Sequence, residues 1–321
     1  MHAAPTLTPV RLDAPGVAAV VPHMFGFEPS DSLVLFGVDG QPNSARIDAS
    51  AVTPRLLPES VHVVNRLHAS GARRVVAIGY GQQMTPEAME AVVSQIVALG
   101  LSVADYGTVA GRCWHSLTDG QRTPLPEVDP AILARFSPDG SVSTSREQMR
   151  ATFVPTGDDA LAATLDAASV PTAEDLPGVA QAWAALLDGR NQPTPFALLT
   201  ILPMLRNPHC RDALIAALTD NATVRDAVAA ECAPILTAVR SAHGDQGAKA
   251  RAALAAICRA TPERHAPDVL AVTAATYYDS GHGAHANAAV ETALRIDPEH
   301  RLSALLGRAL DAGLDPHGLR G

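Results

Sequence analysis

Apolar residues cluster in short, nearly continuous runs in the first third of the chain. Residues 32–38 and 73–79 form two such runs, which are typical of strands buried on both faces of a sheet. Residues 43–49 alternate apolar and polar side chains and predict an antiparallel partner for the first run. Residues 101–110 predict a third strand or strand pair, which residues 111–117 continue.

Helical periodicity separates these runs. Residues 58–70 place their apolar side chains on one stripe. The sequence from Thr85 to Glu87 predicts the capped start of a second helix, which ends at Gly100. This order of strands and helices is typical of a layered α/β domain. The predicted sheet is mixed, with parallel pairing at its centre and a hairpin at one edge.

Glycine and proline mark loops from residue 118 to residue 144, and nearly every segment after residue 159 has a helical pattern. The sequence therefore predicts an α/β domain over residues 1–145, followed by an all-α helical domain over residues 146–321. A linker is expected near residues 137–158. Helices of the second domain are expected at residues 159–168, 173–188, 195–206, 208–219, 222–241, 246–260, 266–280, 284–296 and 299–312.

Residues 266–313 contain a spacing found in the second half of a tetratricopeptide repeat. Small residues at such positions let the two helices of a hairpin approach closely. The sequence shows no second copy upstream, and an array needs about three units, so a helical hairpin is predicted rather than an array. The matching positions are Tyr277, Gly281, Ala286, Val290, Ala293 and Pro298.

Composition limits which partners the protein could bind and in which compartment it could work. The formal net charge of −9 argues against a nucleic-acid partner, because such proteins usually carry a basic face. The four cysteines lie far apart and form no C-x-x-C pair, which predicts buried thiols rather than a zinc site or a disulfide framework. The N-terminal residues lack the regions of a signal peptide, and no window is apolar enough for a membrane span. We expect a cytoplasmic protein without a membrane partner.

Polar residues precede the first predicted strand. Glu28, Asp31 and Ser32 lie where the chain enters that strand, and the ends of strands in α/β sheets often bind ligands. The functional interpretation is a ligand site built on the carboxylates of Glu28 and Asp31. The alternative is a capped turn, in which Asp31 or Ser32 accepts hydrogen bonds from nearby backbone amides.

A second group of reactive side chains lies at residues 111–115. Arg112 carries a fork of donors that suits a phosphate or carboxylate, and Trp114 offers a ring for stacking. Cys113 and His115 are candidates for a nucleophile and its base, although residues two apart in a strand share a face without necessarily sharing a hydrogen bond. The alternative is a strand that pairs Arg112 with an acid and buries Trp114.

Two further groups lie at predicted helix ends. Ser145 and Arg146 start a helix, which suggests either an anion site or a plain N-cap, and the N-cap is favoured. Asp279, His282 and His285 carry the atoms of a metal site. They fall on the predicted turn of the helical hairpin, however, where polar side chains face water, so no metal is predicted. No motif in the sequence identifies a cofactor.

Three segments, taken together, resemble a known family. They are VPHMFGFEPSDSLVLFG, then AGRCWHSL with the later TSREQMRA, and finally YYDSGHGAHANAAVETALRIDP with the following LSALLGRALDAGLDP. These segments look like the actinobacterial and phage domain-of-unknown-function family numbered 4192, over nearly the whole chain. The resemblance implies the same organisation and carries no activity. This chain has His23 and His115 where the family has aromatic residues, which argues against a mechanism built on either imidazole.

Two functions fit these residues. The first is a non-catalytic binding or adaptor protein, in which Arg112, Trp114 and Arg146 contact a small anionic ligand and the helical domain binds a protein partner. The sequence lacks the phosphate-binding loop, the dinucleotide fingerprint and the common hydrolase motifs, which favours this hypothesis. The alternative is a hydrolase or transferase that acts on a phosphorylated or nucleotide-like small molecule. Asp31 or Glu28 would then act as the base, and the arginines would clamp the anion.

Overall fold

The chain divides into two compact units. The first, called here the α/β unit, takes residues 1–22 and 29–133, and the second, called the helical unit, takes residues 23–28 and 134–321. The predicted boundary between residues 145 and 146 lies inside the helical unit. The computed structural model describes residues 13–39, 44–52, 58–69, 71–136, 142–219, 225–228, 230–240 and 244–314.

The α/β unit is built on a six-stranded mixed sheet with the order β2-β1-β3-β4-β5-β6. Its strands are β1 (Ser32–Gly37), β2 (Ser44–Asp48), β3 (Arg74–Tyr80), β4 (Ser102–Ala110), β5 (Cys113–Ser116) and β6 (Arg122–Pro124). The prediction of a mixed sheet is confirmed. The expected parallel pairing, however, is confined to β3 and β4 at the centre, and the other neighbouring strands pair antiparallel, so hairpins occupy both edges.

A tight turn explains the second hairpin. Residues 111–117 do not continue β4, as their apolar pattern suggested; they turn back as β5, with Ala110 opposite Cys113. The two-residue loop begins with Gly111, which has a φ of +58°, a conformation that glycine adopts without strain. A glycine at the first position of such a loop is typical of a type II′ turn, which matches the twist of paired strands. The segment after residue 118, which was predicted to be a loop, contains the short strand β6.

Helices cover both faces of the sheet. They are α1 (Ala14–Phe25), α2 (Pro58–Ala69) and α3 (Pro86–Ala98). Leu33, Leu35 and Ala77 are fully buried on the face that packs against α2 and α3. On the opposite face, Tyr80 donates a hydrogen bond from its hydroxyl to the Ala18 carbonyl oxygen of α1, at 3.4 Å. The predicted N-cap at Thr85 is present, because its Oγ1 accepts from the backbone N–H of Ala88 at 3.3 Å.

The helical unit confirms the predicted helical C-terminal part. Its elements are α4 (Pro130–Phe136, which begins in the α/β unit), α5 (Arg146–Ala151), α6 (Asp159–Ala167), α7 (Leu176–Leu187), α8 (Pro195–Ile201), α9 (Pro208–Thr219), α10 (Ala233–Ala238), α11 (Gly244–Ala260), α12 (Ala266–Asp279), α13 (Gly283–Ile296) and α14 (Arg301–Asp311). Short 3₁₀ segments lie at Leu202–Arg206, Ala230–Cys232 and Glu263–His265. The buried core of this unit is centred on Phe153, Trp183 and the apolar faces of α9, α11 and α12.

One predicted helix is wrong. Residues 222–241 do not form a single helix, because their described part holds the 3₁₀ segment Ala230–Cys232 and the short helix α10. Pro234 lies in the first turn of α10, the position where its missing N–H costs nothing, whereas inside a longer helix it would break a hydrogen bond. Residues 222–224, 229 and 241 lie outside the described residues.

The predicted helical hairpin at residues 266–313 is present as α12 and α13, with α14 following. Gly281 has a φ of +81° in the link between α12 and α13, a conformation that glycine adopts without strain. Ala286, Ala289 and Ala293 of α13 are buried, which lets the two helices approach closely. The relationship of this hairpin to a tetratricopeptide repeat stays a prediction.

Candidate functional site

A cleft of about 200 Å³ opens in the helical unit. It lies where the end of α6, the 3₁₀ segment Leu202–Arg206, the start of α12 and the link between α13 and α14 meet. Four of its lining residues are apolar and the others are charged or titratable. The lining is Leu165, Leu202, Leu205, Arg206, Arg264, His265, Pro267, Asp268, Asp297 and His300.

Arg206 forms part of the basic side of this cleft. Its Nη1 donates to the carbonyl oxygen of Ala168 at 2.9 Å, and its Nη2 donates to that of Leu165 at 2.5 Å. These carbonyls lie at the C-terminal end of α6, where the last turn of a helix leaves its acceptors without intrahelical donors. An arginine carries five N–H donors, so this capping role leaves further donors on Arg206.

Arg264 and His265 complete the basic side. Arg264 pairs with Asp166 of α6 through its Nε, at 3.4 Å, and through its Nη2. The hydrogen bond from Arg264 lowers the pKa of Asp166, and the same bond raises the pKa of Arg264. His265 places its Nε2 3.0 Å from Asp166 and 3.1 Å from the carbonyl oxygen of Ala162. Both residues therefore lie against α6.

Asp268 forms part of the acidic side of the cleft, and His300 lies beside it. Asp268 Oδ1 accepts from Arg211 at 3.1 Å and lies 3.3 Å from His300 Nε2. His300 caps α14, because its Nδ1 accepts from the backbone N–H of Ser303 at 3.4 Å. Nε2 then carries the ring proton and donates to Asp268. Burial raises the pKa of Asp268, but the hydrogen bonds from His300 and Arg211 outweigh burial, and the pKa lies below its usual value.

Asp297 extends the acidic side at the end of α13. Its Oδ1 accepts from the backbone N–H of Glu299 at 3.0 Å. Within the described part of the chain, no residue donates to Oδ2 of Asp297 or to Oδ2 of Asp268. Among the described residues that line the cleft, none carries a hydroxyl or a thiol. The described lining therefore offers donors, acceptors and apolar side chains, and it offers no serine, threonine or cysteine nucleophile.

The two predicted carboxylates at the first strand belong to different units. Asp31, in the α/β unit, has a φ of +37°, and its backbone carbonyl accepts from Ala49 N–H at 2.8 Å. A Cβ atom on Gly81 would lie 2.3 Å from Asp31 Oδ1, so glycine is needed beside this turn. Glu28, in the helical unit, is exposed, and its backbone N–H donates to the Ser143 carbonyl at 2.9 Å. Asp31 is thus held by a backbone contact to the residue after β2, and the side-chain cap of the structural alternative stays a prediction.

The Gly111–His115 segment separates its side chains. Arg112 is exposed on the β4–β5 turn and makes no side-chain hydrogen bond to a described residue. Trp114 is only 1% exposed, so its ring offers no open face for a ligand in this conformation. Cys113 and His115 alternate with Trp114 along β5 and therefore point to the opposite face of the sheet.

Ser145 and Arg146 have structural contacts within the helical unit. Ser145 caps α5, since its Oγ accepts from the backbone N–H of Gln148 at 3.1 Å. Arg146 forms an ion pair with Glu291 of α13 at 3.4 Å, and Arg150 pairs with the same carboxylate. These contacts join α5 to α13.

Asp279 and His282 of the helical hairpin are buried rather than open to water, and His285 is partly buried. His282 is 8% exposed and Asp279 is 6% exposed. The ring of His285 stacks on that of Tyr277, with centroids 5.0 Å apart. Among the described residues, no group of three or more His, Cys, Asp or Glu side chains is arranged to hold a metal ion.

Sequence reasoning missed the cleft. The one available signal was local: Arg264, His265 and Asp268 flank the Ala266–Pro267 start of a predicted helix, where charged residues usually serve as caps. Nothing in the sequence indicates that Arg206 and Asp297, far away along the chain, would meet them. Only the packing of α6, the 3₁₀ segment Leu202–Arg206, the start of α12 and the α13–α14 link brings these side chains together.

Comparison with known proteins gives one match. The model of a family described as a domain of unknown function (DUF4192) matches residues 16–317, nearly the whole chain. No curated protein and no solved structure matches. Within the described residues, no helix combines the length and the apolar composition needed to cross a membrane.

Proposed function

The chain belongs to the DUF4192 family, and we propose that it is a non-catalytic binding protein that holds a small ligand with an anionic group in the cleft of its helical unit. The observation that carries this proposal is that two arginines, Arg206 and Arg264, both line a cleft of about 200 Å³. Guanidinium groups with unused N–H donors are suited to carboxylate and phosphate oxygens.

The lining favours binding over catalysis. The described lining has neither a hydroxyl nor a thiol nucleophile. Its carboxylate and imidazole groups already make contacts within the protein, Asp268 with Arg211 and His300, and His265 with Asp166. The alternative hydrolase or transferase would use Asp31 or Glu28 as its base. The structural contacts of Asp31, Ser145 and Arg146 explain those residues without a reaction, so they give the alternative no support.

We also infer a cytoplasmic location and a protein partner for the helical unit. The free, buried thiols of Cys210, Cys232 and Cys258 support a reducing compartment. The helical hairpin of α12 and α13 supports a protein partner, because hairpins of the tetratricopeptide kind commonly bind peptides.

A thermal-shift screen tests the ligand proposal. Carboxylates, amino acids, phosphates and nucleotides would be added singly to the full chain, and a ligand at 100 times its Kd should stabilise the fold by about 2.7 kcal/mol. Arg264→Ala should abolish the shift. Arg295→Ala is the matched control, because Arg295 also forms an exposed ion pair, with Glu263 at 3.0 Å, and lies outside the cleft lining.

Two results would overturn the proposal. One is the absence of any shift across the panel. The other is a shift that survives Arg264→Ala unchanged, which would place the ligand elsewhere in the molecule.

A further inference from the structure

Charge is distributed unevenly around the cleft. Arg206 and Arg264 lie against α6, through contacts with its last carbonyls and with Asp166. Asp268 and Asp297 lie instead toward α14, where His300 bonds to Asp268. One side of the cleft therefore presents cationic donors and the other presents anionic acceptors.

Each side keeps unused hydrogen-bonding capacity. Arg206 uses two of its five N–H donors on carbonyls of the α6 end, and Arg264 uses its Nε and Nη2 on Asp166. Nη1 of Arg264 donates to none of the described residues. On the acidic side, Oδ2 of Asp268 and Oδ2 of Asp297 accept from none of the described residues. A ligand could bind both sides without breaking a protein contact.

Apolar side chains also line the cleft. Leu165, Leu202 and Leu205 line the cleft together with Pro267. The volume of about 200 Å³ is below the roughly 300–1,000 Å³ of pockets that take drug-sized molecules. The occupant is therefore small, and part of it is aliphatic.

We propose that the ligand of this cleft is a zwitterion, an α-amino acid with an aliphatic side chain. This inference rests on the proposed binding function and specifies its ligand class. The carboxylate would bind Arg206 and Arg264, the ammonium would donate to Asp268 and Asp297, and the side chain would lie on the leucines. A compact polyanion such as phosphate would gain from the arginines but would be repelled by the two aspartates.

Calorimetric titration of the full chain with a matched set of probes tests this assignment. The probes are L-leucine, N-acetyl-L-leucine (no ammonium), L-leucinamide (no carboxylate) and inorganic phosphate. We expect L-leucine to bind, and each of the other three to bind at least tenfold more weakly, because each lacks one of the two charges or carries the wrong one.

Two variants, each of which replaces a charged side chain by a neutral amide, assign the charges to their sides. Asp297→Asn should weaken L-leucine binding about tenfold while leaving the weak affinity for N-acetyl-L-leucine unchanged or higher. Arg264→Gln should weaken L-leucine binding and leave L-leucinamide unaffected. Asp188→Asn, at an ion pair with Arg190 outside the cleft lining, is the control and should bind L-leucine like the parent. Circular dichroism checks that each variant is folded.

The outcomes separate this inference from the proposed function. If N-acetyl-L-leucine or phosphate binds at least as tightly as L-leucine, and Arg264→Gln weakens that binding, the cleft is a simple anion site. The zwitterion assignment is then wrong while the proposed function stands. If none of these probes and no member of the thermal-shift panel binds, both are wrong.

Discussion

At Gly107 of β4, the absence of a side chain leaves room for the ring of Trp114. A Cβ atom at this position would lie 2.7 Å from the indole and 2.2 Å from the carbonyl oxygen of His115. Gly107 pairs with Ser116, and Trp114 lies two residues before Ser116 on the same face of the sheet. The burial of Trp114 therefore depends on a glycine in the neighbouring strand.

Gly107→Ala should destabilise the fold by about 1–3 kcal/mol, because the added methyl group would overpack the site and push on the backbone. Gly178→Ala provides the contrast. Gly178 lies in α7, and a Cβ there would meet no atom within 4 Å, so we expect a gain of about 0.5–1 kcal/mol. Urea unfolding of both variants measures the difference. Equal effects would mean that Gly107 is not closely packed.

The cysteines should differ sharply in reactivity. Burial raises the pKa of Cys210 to about 12, with a further contribution from its hydrogen bond to Cys232, and burial raises the pKa of Cys258 to about 12. A thiol reacts through its thiolate, so these buried groups should be inert. Cys113 is partly exposed.

A chromogenic disulfide reagent at pH 8 should therefore modify one thiol per native chain, and all four after denaturation. Cys113→Ser should remove the fast reaction. A second fast thiol in that variant would contradict the packing described for the helical unit.

At the scale of elements, one carboxylate joins three helices. Asp268 lies in the first turn of α12, accepts from Arg211 of α9, and accepts from His300 at the start of α14. The negative charge also suits the positive end of the α12 dipole. Loss of this charge should loosen the contacts of three elements together.

Asp268→Asn should lower the free energy of unfolding at pH 7 by about 1–2 kcal/mol, since bonds to charged groups contribute roughly 1.5–3 kcal/mol and partial exposure reduces this. The folded pKa of Asp268 is depressed, so its contribution is present above the unfolded value near 4 and is lost as the pH falls through the lower folded value. Chemical unfolding between pH 7 and pH 2 should show the parent and the variant converging. Parallel curves would contradict the depressed pKa.

Elements with a local signal could be predicted from the sequence. The apolar run of β1, the cap at Thr85 and the hairpin of α12 and α13 each depend on neighbouring residues. The reversal at Gly111 depends on a turn conformation that the alternation of side chains does not encode. The break before α10 coincides with Pro234, and the helical pattern on both sides of this proline hides the break.

The candidate site was less predictable than the fold. Ser145 was placed correctly as a cap, because that role involves only the next few residues. The cleft combines residues from α6, α12 and the α13–α14 link, and periodicity along the chain carries no information about such distant pairings. The ion pair of Arg146 with Glu291 could not be predicted either, because the two residues lie far apart along the chain.

At the scale of the molecule, the helical unit includes a segment from the start of the chain. Ser143 exchanges backbone hydrogen bonds with this segment, donating to Gly26 at 2.8 Å and accepting from Glu28 at 2.9 Å. Phe27 is 2% exposed and belongs to the core of the helical unit. A Cβ on Gly26 would lie 2.0 Å from the His285 ring, so this segment packs closely.

Phe27→Ala should therefore destabilise the helical unit by about 3–5 kcal/mol, the usual cost of removing a buried aromatic ring. Hydrogen exchange should accelerate in α5 and α13. Val170→Ala is the control, because Val170 is 42% exposed and its truncation should cost little. Unchanged exchange in α5 and α13 of the Phe27 variant would show that the segment is dispensable to the core.

The membership of residues 23–28 in the helical unit also has a consequence for synthesis and for gene rearrangement. Residues 23–28 leave the ribosome long before Ser143 and His285 are made, so this segment must wait without its packing partners until translation is almost finished. A gene rearrangement that carried only residues 134–321 to a new protein would leave Phe27 behind. A transferred helical unit would therefore need residues 23–28 as well as residues 134–321 to keep this part of its core.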